Sequence, residues 1–353
     1  MCAGLPRYFG LYATEKWVYA LTNMKSPPSY RFSVAPMIDW TDRHCRYFHR
    51  QFTKNALLYT EMITAPALVR GGATHLLEHS LDEHPVALQL GGSDPVELGK
   101  AAKLGADAGY CEVNLNVGCP SDRVQSGSFG AVLMLTPHLV ADCVRAMQDS
   151  VGVPVTVKCR IGVDEQDPEI ALPEFLDAMQ GAGVSRVIVH ARKAWLQGLS
   201  PAQNRDIPPL DYDLVARQMA MRPELQIVLN GGIESLDASD AHLANGFHGV
   251  MLGRAAYHDP GAVLLDVDRR VFGGQNPCSD PVEAVLAMRS YIEDHIAQGG
   301  KLSGVTRHML GSFLGKPGAR GWRRHLSENA HRPGAGWSVV EDALAKLGPK
   351  AAA

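Results

Sequence analysis

Between Phe32 and Gly253 the chain repeats one unit eight times: a short apolar run bounded by turn residues, then a stretch with helical spacing. The runs are FSVAP (32–36), LLYTE (57–61), VALQL (86–90), CEVNLN (111–116), VTVKC (155–159), RVIVH (186–190), QIVLN ending at Asn230, and HGVMLG (248–253). Between them, DPVELGKAAKLGA, with Asp94 at a cap position and Pro95 in the first turn, reads as a helix, and so does TPHLVADCVRAMQ with Thr136 and Pro137. Eight consecutive βα units over about 230 residues match a TIM (β/α)8 barrel; a doubly wound open sheet shares the alternation, and the count favours the barrel.

In a closed barrel the outward face of each strand packs on helices and must be apolar, so the period of two sorts the side chains. In the fourth run Val113, Leu115 and Val117 share one face and Glu112, Asn114 and Asn116 the other. Leu88 and Leu90 likewise oppose Ala87 and Gln89, Val157 and Cys159 oppose Thr156 and Lys158, and Val187 and Val189 oppose His190. Gln89, Asn116, Lys158, His190 and Asn230 therefore point inward at the C-terminal ends of five successive strands, where such barrels carry their active sites. A lysine enclosed among amides implies a ligand that accepts hydrogen bonds and carries negative charge.

NGGI (230–233) and LGRAA (252–256) follow the last two strands, the usual phosphate site of this fold. Gly231, Gly232 and Gly253 let the backbone approach closely, and Arg254 offers charge-assisted bonds. A phosphate joined to a planar, hydrogen-bonding ring fits FMN. Lys158 would then stand near its pyrimidine end, Gln89 at its carbonyl edge, and APM (35–37) along its dimethylbenzene side.

Nearly half of the 353 residues are hydrophobic (46%), enough for one large domain and a smaller one. No apolar stretch approaches a membrane span and the first thirty residues lack a signal-peptide core, so a cytoplasmic protein is expected. Seven cysteines without a C-x-x-C spacing point to reduced thiols and no metal site. Residues 1–29 read as an N-terminal extension, either an ordered strap or a stretch ahead of a natural start at Met24. The barrel is expected over 30–265 and a helical domain over 266–345, with DPVEAVLAMRSYIEDHIAQGG (280–300) as one amphipathic helix ended by Gly299 and Gly300.

The net charge of −3 hides an asymmetry, because residues 301–350 hold nine Lys and Arg against three Asp and Glu. Arg307 to Arg324 contains five basic residues and no acid, with Trp322 interleaved, a composition suited to phosphate contacts and base stacking.

Taken together, APMIDWTDRHCR, LNVGCPS, VKCRIG, VHARKAWLQGLSP, LNGGI and MLGRAAY resemble the tRNA-dihydrouridine synthase family, and TRHMLGSFLGKPGARGWRRHLSEN (306–329) resembles its bacterial A-type branch. The resemblance spans residues 30 to 330. It implies an FMN-containing barrel, a helical tRNA-binding domain, and NADPH-dependent reduction of uridine at positions 20 and 20a of the tRNA D-loop. FMN contacts then fall on Pro36, Met37, Gln89, Lys158, His190, Asn230, Gly231, Gly232, Gly253 and Arg254. The general acid falls on Cys119, and tRNA contacts on Asn116, Arg205, Arg320 and Arg323. Ala202 stands where close relatives are expected to carry a lysine, which removes one phosphate contact. A monomer is expected.

The chemistry accounts for the thiol in NLNVGCP. Hydride addition at C6 of uracil leaves charge towards C5 and O4, and a neutral thiol on the other face of the base can protonate C5. A nucleophilic cysteine would want a neighbouring base instead, for which His190 is the candidate. Cys111, Cys143 and Cys159 read as buried structural thiols. Two other readings stay open: a flavin oxidoreductase of a small pyrimidine or enone, in the manner of dihydroorotate dehydrogenases, and a tRNA-binding factor with a vestigial flavin site.

Overall fold

The computed structural model of the chain describes residues 30–121 and 129–348; the N-terminal segment 1–29, with Met24, and the tail 349–353 lie outside the described residues. Eight parallel strands follow one another around a closed barrel: β1 (Phe32–Val34), β2 (Leu57–Thr64), β3 (Val86–Gly91), β4 (Glu112–Val117), β5 (Val155–Cys159), β6 (Arg186–His190), β7 (Gln226–Asn230) and β8 (Gly249–Leu252). The last strand meets the first in register, Ser33 beside Met251 and Val34 beside Leu252, so the sheet has no open edge.

Period-two sorting holds on the wall. Val113, Leu115 and Val117 are fully buried against the helices, each such side chain contributing roughly 1.5–3 kcal/mol. A second, smaller apolar cluster fills the inside of the barrel, with Leu57, Tyr59, Ala87, Ile188 and Val228 among its members. The register of β2 with β3 shifts between Tyr59 and Met62, and Met62, just past the irregularity, lines the cavity at the top of the barrel.

The helix Pro95–Ala108 begins as expected, with the Asp94 carboxylate accepting from Glu97 N at 2.9 Å, and stops at Gly109, whose φ of +100° suits a residue without Cβ. The helix Pro137–Gln148 starts differently from the expectation: Thr136 holds the cap position, but its hydroxyl does not cap, leaving Pro137 as the start signal.

Beyond the barrel the chain is helical, from Pro260–Val263 to Trp337–Leu344. The helix expected over 280–300 is two helices, Pro281–Leu286 and Arg289–Ala297. At the joint Met288 N donates to Val285 O, three residues back, a local tightening that leaves Val285, Met288 and Ile292 on one buried face. The helical region is fastened to the barrel by two carboxylates. Asp268, fully buried, accepts from the Thr53 hydroxyl at 2.5 Å and from Lys54 N at 2.7 Å. Asp42, which caps the helix Arg43–Arg50, pairs with Arg307 and His308.

Trp322 corrects an expectation. It is fully buried, its indole N–H donates to Met309 O at 3.2 Å, and its ring stands edge-on to Phe313 at 5.0 Å. An indole so enclosed builds the core of the helical region and offers no face to a base. Trp322→Ala should lower the free energy of unfolding by about 3–5 kcal/mol in denaturant titrations.

Candidate active site

The C-terminal ends of the strands open into a cavity of about 520 Å³. Its lining includes every barrel residue singled out above: Pro36 and Met37 after β1, Gln89 on β3, Asn116 and Cys119 at the end of β4, Lys158 on β5 and His190 on β6. Arg205 enters from the loop after β6, Asn230, Gly231 and Gly232 from the end of β7, and Gly253 and Arg254 from the turn after β8. Arg320 and Arg323 stand apart from this set, both exposed on the helix Ala319–Asn329.

Cys119 is half-buried, and its Sγ lies 3.4 Å from the Ser121 hydroxyl. Its position follows from Asn116, whose Oδ1 receives Gly118 N at 3.1 Å and Cys119 N at 3.0 Å, bending the chain straight out of β4. The other thiols behave as structural groups: burial pushes Cys111, Cys143 and Cys159 up to about 12.

Lys158 donates to Asn230 Oδ1 at 2.9 Å, and Asn230 Nδ2 donates to Met251 O at 2.7 Å, which turns the ammonium towards the β7 side of the cavity. Burial, with the Arg160 charge beside it, lowers the Lys158 pKa to about 8. Burial also holds His190 well below the usual imidazole range, with Arg160 and Lys158 acting the same way, so the ring is neutral and a hydrogen-bonding wall.

Gly231 and Gly232 have φ of +108° and +68°. A Cβ on Gly231 would come within 2.3 Å of the His190 ring, and one on Gly232 within 2.6 Å of Leu210. The pair is thus demanded by packing, Gly231 on His190 and Gly232 on Leu210. Gly253 has room for a Cβ, its nearest contact being 3.5 Å. Arg254 is engaged: its guanidinium meets the Asp206 carboxylate at 2.7 Å, and an entering phosphate would share or replace that partner.

Arg160 carries no role in the sequence reading, although it follows Lys158 by two residues and so shares its parity. It is buried, lines the cavity, and donates to Gly118 O at 3.1 Å, Asn204 O at 3.1 Å and Lys193 O at 3.3 Å. Asn204, itself fully buried, braces the loop after β6 through Trp195 N at 2.7 Å and Trp195 O at 2.9 Å. Ala202, two residues before it, is exposed.

The lining suits a flavin nucleotide: Arg254 beside Gly231, Gly232 and Gly253 for a phosphate, Lys158, Gln89 and Asn230 for the polar edge of a ring, and an apolar side of Pro36, Met37 and Met62 within one cavity. The Lys158 shift gives a direct check. The folded chain holds this proton less tightly than the unfolded chain, so the group costs stability at neutral pH, and the cost is relieved as pH rises from about 8 towards 10.5. In the ligand-free protein the ε-amine should titrate near pH 8 by NMR, and a bound anion should move the midpoint upward.

Known proteins resemble the chain over most of its length. The family model "Dihydrouridine synthase (Dus)" matches residues 33–347. A tRNA-dihydrouridine(20/20a) synthase of Yersinia pestis is 56% identical over 91% of this chain and 93% of its own. One of Escherichia coli O6:H1 is 56% identical, covering 92% of this chain and 97% of its own, and one of Vibrio parahaemolyticus is 54% identical, covering 90% and 97%. Among solved structures, a 2-naphthoyl-CoA reductase complex superposes with a TM-score of 0.52 at 11% identity, covering 69% of this chain and 50% of its own. An old yellow enzyme homologue from Zymomonas mobilis gives 0.50 at 13% identity, with 69% and 88% covered; at such identity these two speak for the barrel fold alone. With a family model spanning the described barrel and helical region, and relatives more than half identical over nine-tenths of its length, the chain belongs to the dihydrouridine synthase family.

Proposed function

We propose that this protein reduces the C5=C6 bond of uridine in the D-loop of tRNA, at positions 20 and 20a, using bound FMN and NADPH as reductant. The observation that carries the reading is the convergence of a thiol, Cys119, and a polar ring of Gln89, Lys158, His190 and Asn230 on one cavity at the top of the barrel. When bound, the flavin supplies the hydride that adds to C6.

The residues do the rest. Lys158 would serve the negative pyrimidine edge of the flavin, Gln89 its carbonyl edge, and Pro36 and Met37 its apolar end. Gly231, Gly232, Gly253 and Arg254 would hold the phosphate, where Arg254 could exchange Asp206 for a phosphate oxygen. Asn116 holds the Cys119 backbone so that the thiol can approach the target base from the face away from the flavin and protonate C5. Arg205 on the cavity rim and Arg320 and Arg323 on the helical region bind tRNA phosphates; these contacts offset the few kcal/mol needed to lift the target base from its stack.

The test is anaerobic. Reduced protein mixed with unmodified tRNA transcript should show rapid flavin reoxidation near 450 nm, with free uridine and orotate inert as acceptors; reoxidation by a small pyrimidine and not by tRNA would replace the tRNA reading with the small-substrate one. Cys119→Ala should slow reoxidation by about 10²–10⁴-fold while tRNA binding is retained. Arg320→Ala and Arg323→Ala should weaken tRNA binding with little sequence dependence and each reduce the log–log salt slope by about one, flavin content unchanged.

A further inference from the structure

Glu112 lies inside the barrel at the start of β4, 1% exposed, and none of the steps above uses it. A carboxylate only accepts hydrogen bonds. One oxygen takes the Arg186 guanidinium, and the other takes the Tyr59 hydroxyl at 2.7 Å and the Thr156 hydroxyl at 2.6 Å. That commits the one hydroxyl proton of Thr156, so Thr156 faces Asn114 as an acceptor, and Asn114 Nδ2 donates to it at 2.8 Å. The Asn114 oxygen in turn accepts from Gln89 Nε2 at 2.8 Å, and the Gln89 oxygen from Asn116 Nδ2 at 2.8 Å. The Asn116 oxygen is then the acceptor turned to the backbone N–H groups of Gly118 and Cys119.

Each link leaves the next one orientation, because a reversed amide would set N–H against N–H or oxygen against oxygen among side chains that are at most 9% exposed. We propose that Glu112, acting through Thr156, is the positioning residue that sets the direction of this amide relay. The direction decides that the Cys119 loop meets a carbonyl oxygen. It also decides that Gln89 and Asn116, whose oxygens are engaged within the relay, each keep an amide N–H for the carbonyl oxygens of a ring bound in the cavity. The relay itself follows from the barrel interior; only its consequence for turnover rests on the proposed function.

Thr156→Val keeps the side-chain shape and removes the link, whereas Thr156→Ser keeps the link and removes a methyl group. In ligand-free protein with ¹⁵N-labelled side-chain amides, Asn114, Asn116 and Gln89 should exchange their protons slowly in the parent and in Thr156→Ser, and about tenfold or more faster in Thr156→Val. Flavin reoxidation by tRNA should fall roughly ten- to a hundred-fold in Thr156→Val, as for a small misplacement of reacting groups, and stay near the parent rate in Thr156→Ser. A merely structural role would order the variants the other way. Parent-like exchange in Thr156→Val, or equal loss in both variants, overturns the proposal. Slow amide exchange in a parent that never passes hydride to tRNA would count against the function and leave the relay standing. Should Thr156→Val not fold, neutron diffraction from deuterated parent crystals decides: a Thr156 deuteron directed at Glu112 supports the relay, and one directed at Asn114 overturns it.

Discussion

Glu112 and Arg186 meet inside the barrel, where taking two ions out of water costs several kcal/mol each unless every charge is matched. Neighbours on other strands make most of the match, while Arg186 Nε stays buried without a partner among the described residues. Tyr59 and Thr156 donate to the carboxylate, and the Tyr30 ring lies 3.9 Å from the Arg186 guanidinium carbon. Burial and the adjacent carboxylate keep the Tyr59 phenol well above its usual pKa, so it remains a donor. Four strands are thereby tied to one charge, and a slip of one residue in β4 would drive Glu112 among the outward valines. The polar ring at the top of the barrel is level because this pair at its base allows one register.

Much of this was legible in the residues themselves. Strict alternation on β4, β5 and β6 exposed Asn116, Lys158 and His190 as inward groups, because outward positions on such a wall tolerate only apolar side chains. The same parity marked Arg160 and Arg186, but their work depends on loop carbonyls and on a partner two strands away, and no local pattern carries that information. Trp322 looked available for stacking because it sits among arginines; its burial is decided by Met309 O and Phe313, which reach it only once the helices pack. The joint at Met288 was hidden for the opposite reason, since the apolar face runs through it unbroken.

The cavity also gathers several cations on its walls. Burial and the nearby Arg254 charge lower the pKa of Arg205, and Lys158 is lowered by burial and Arg160, so the cations are crowded beyond what each would choose alone. Asp206 relieves part of that strain on the exposed side through Arg254. A negative ligand would relieve the rest, its binding favoured by repulsion already built into the walls.

Arg160 has one more consequence. Its guanidinium grips the carbonyl just before Cys119 and two carbonyls of the loop after β6, the segment that also carries Trp195 and Arg205. One planar cation thus fastens the carbonyl before Cys119 to the loop that carries Arg205. Under the proposed function, a displacement of that rim on seating a large substrate would be passed to the thiol.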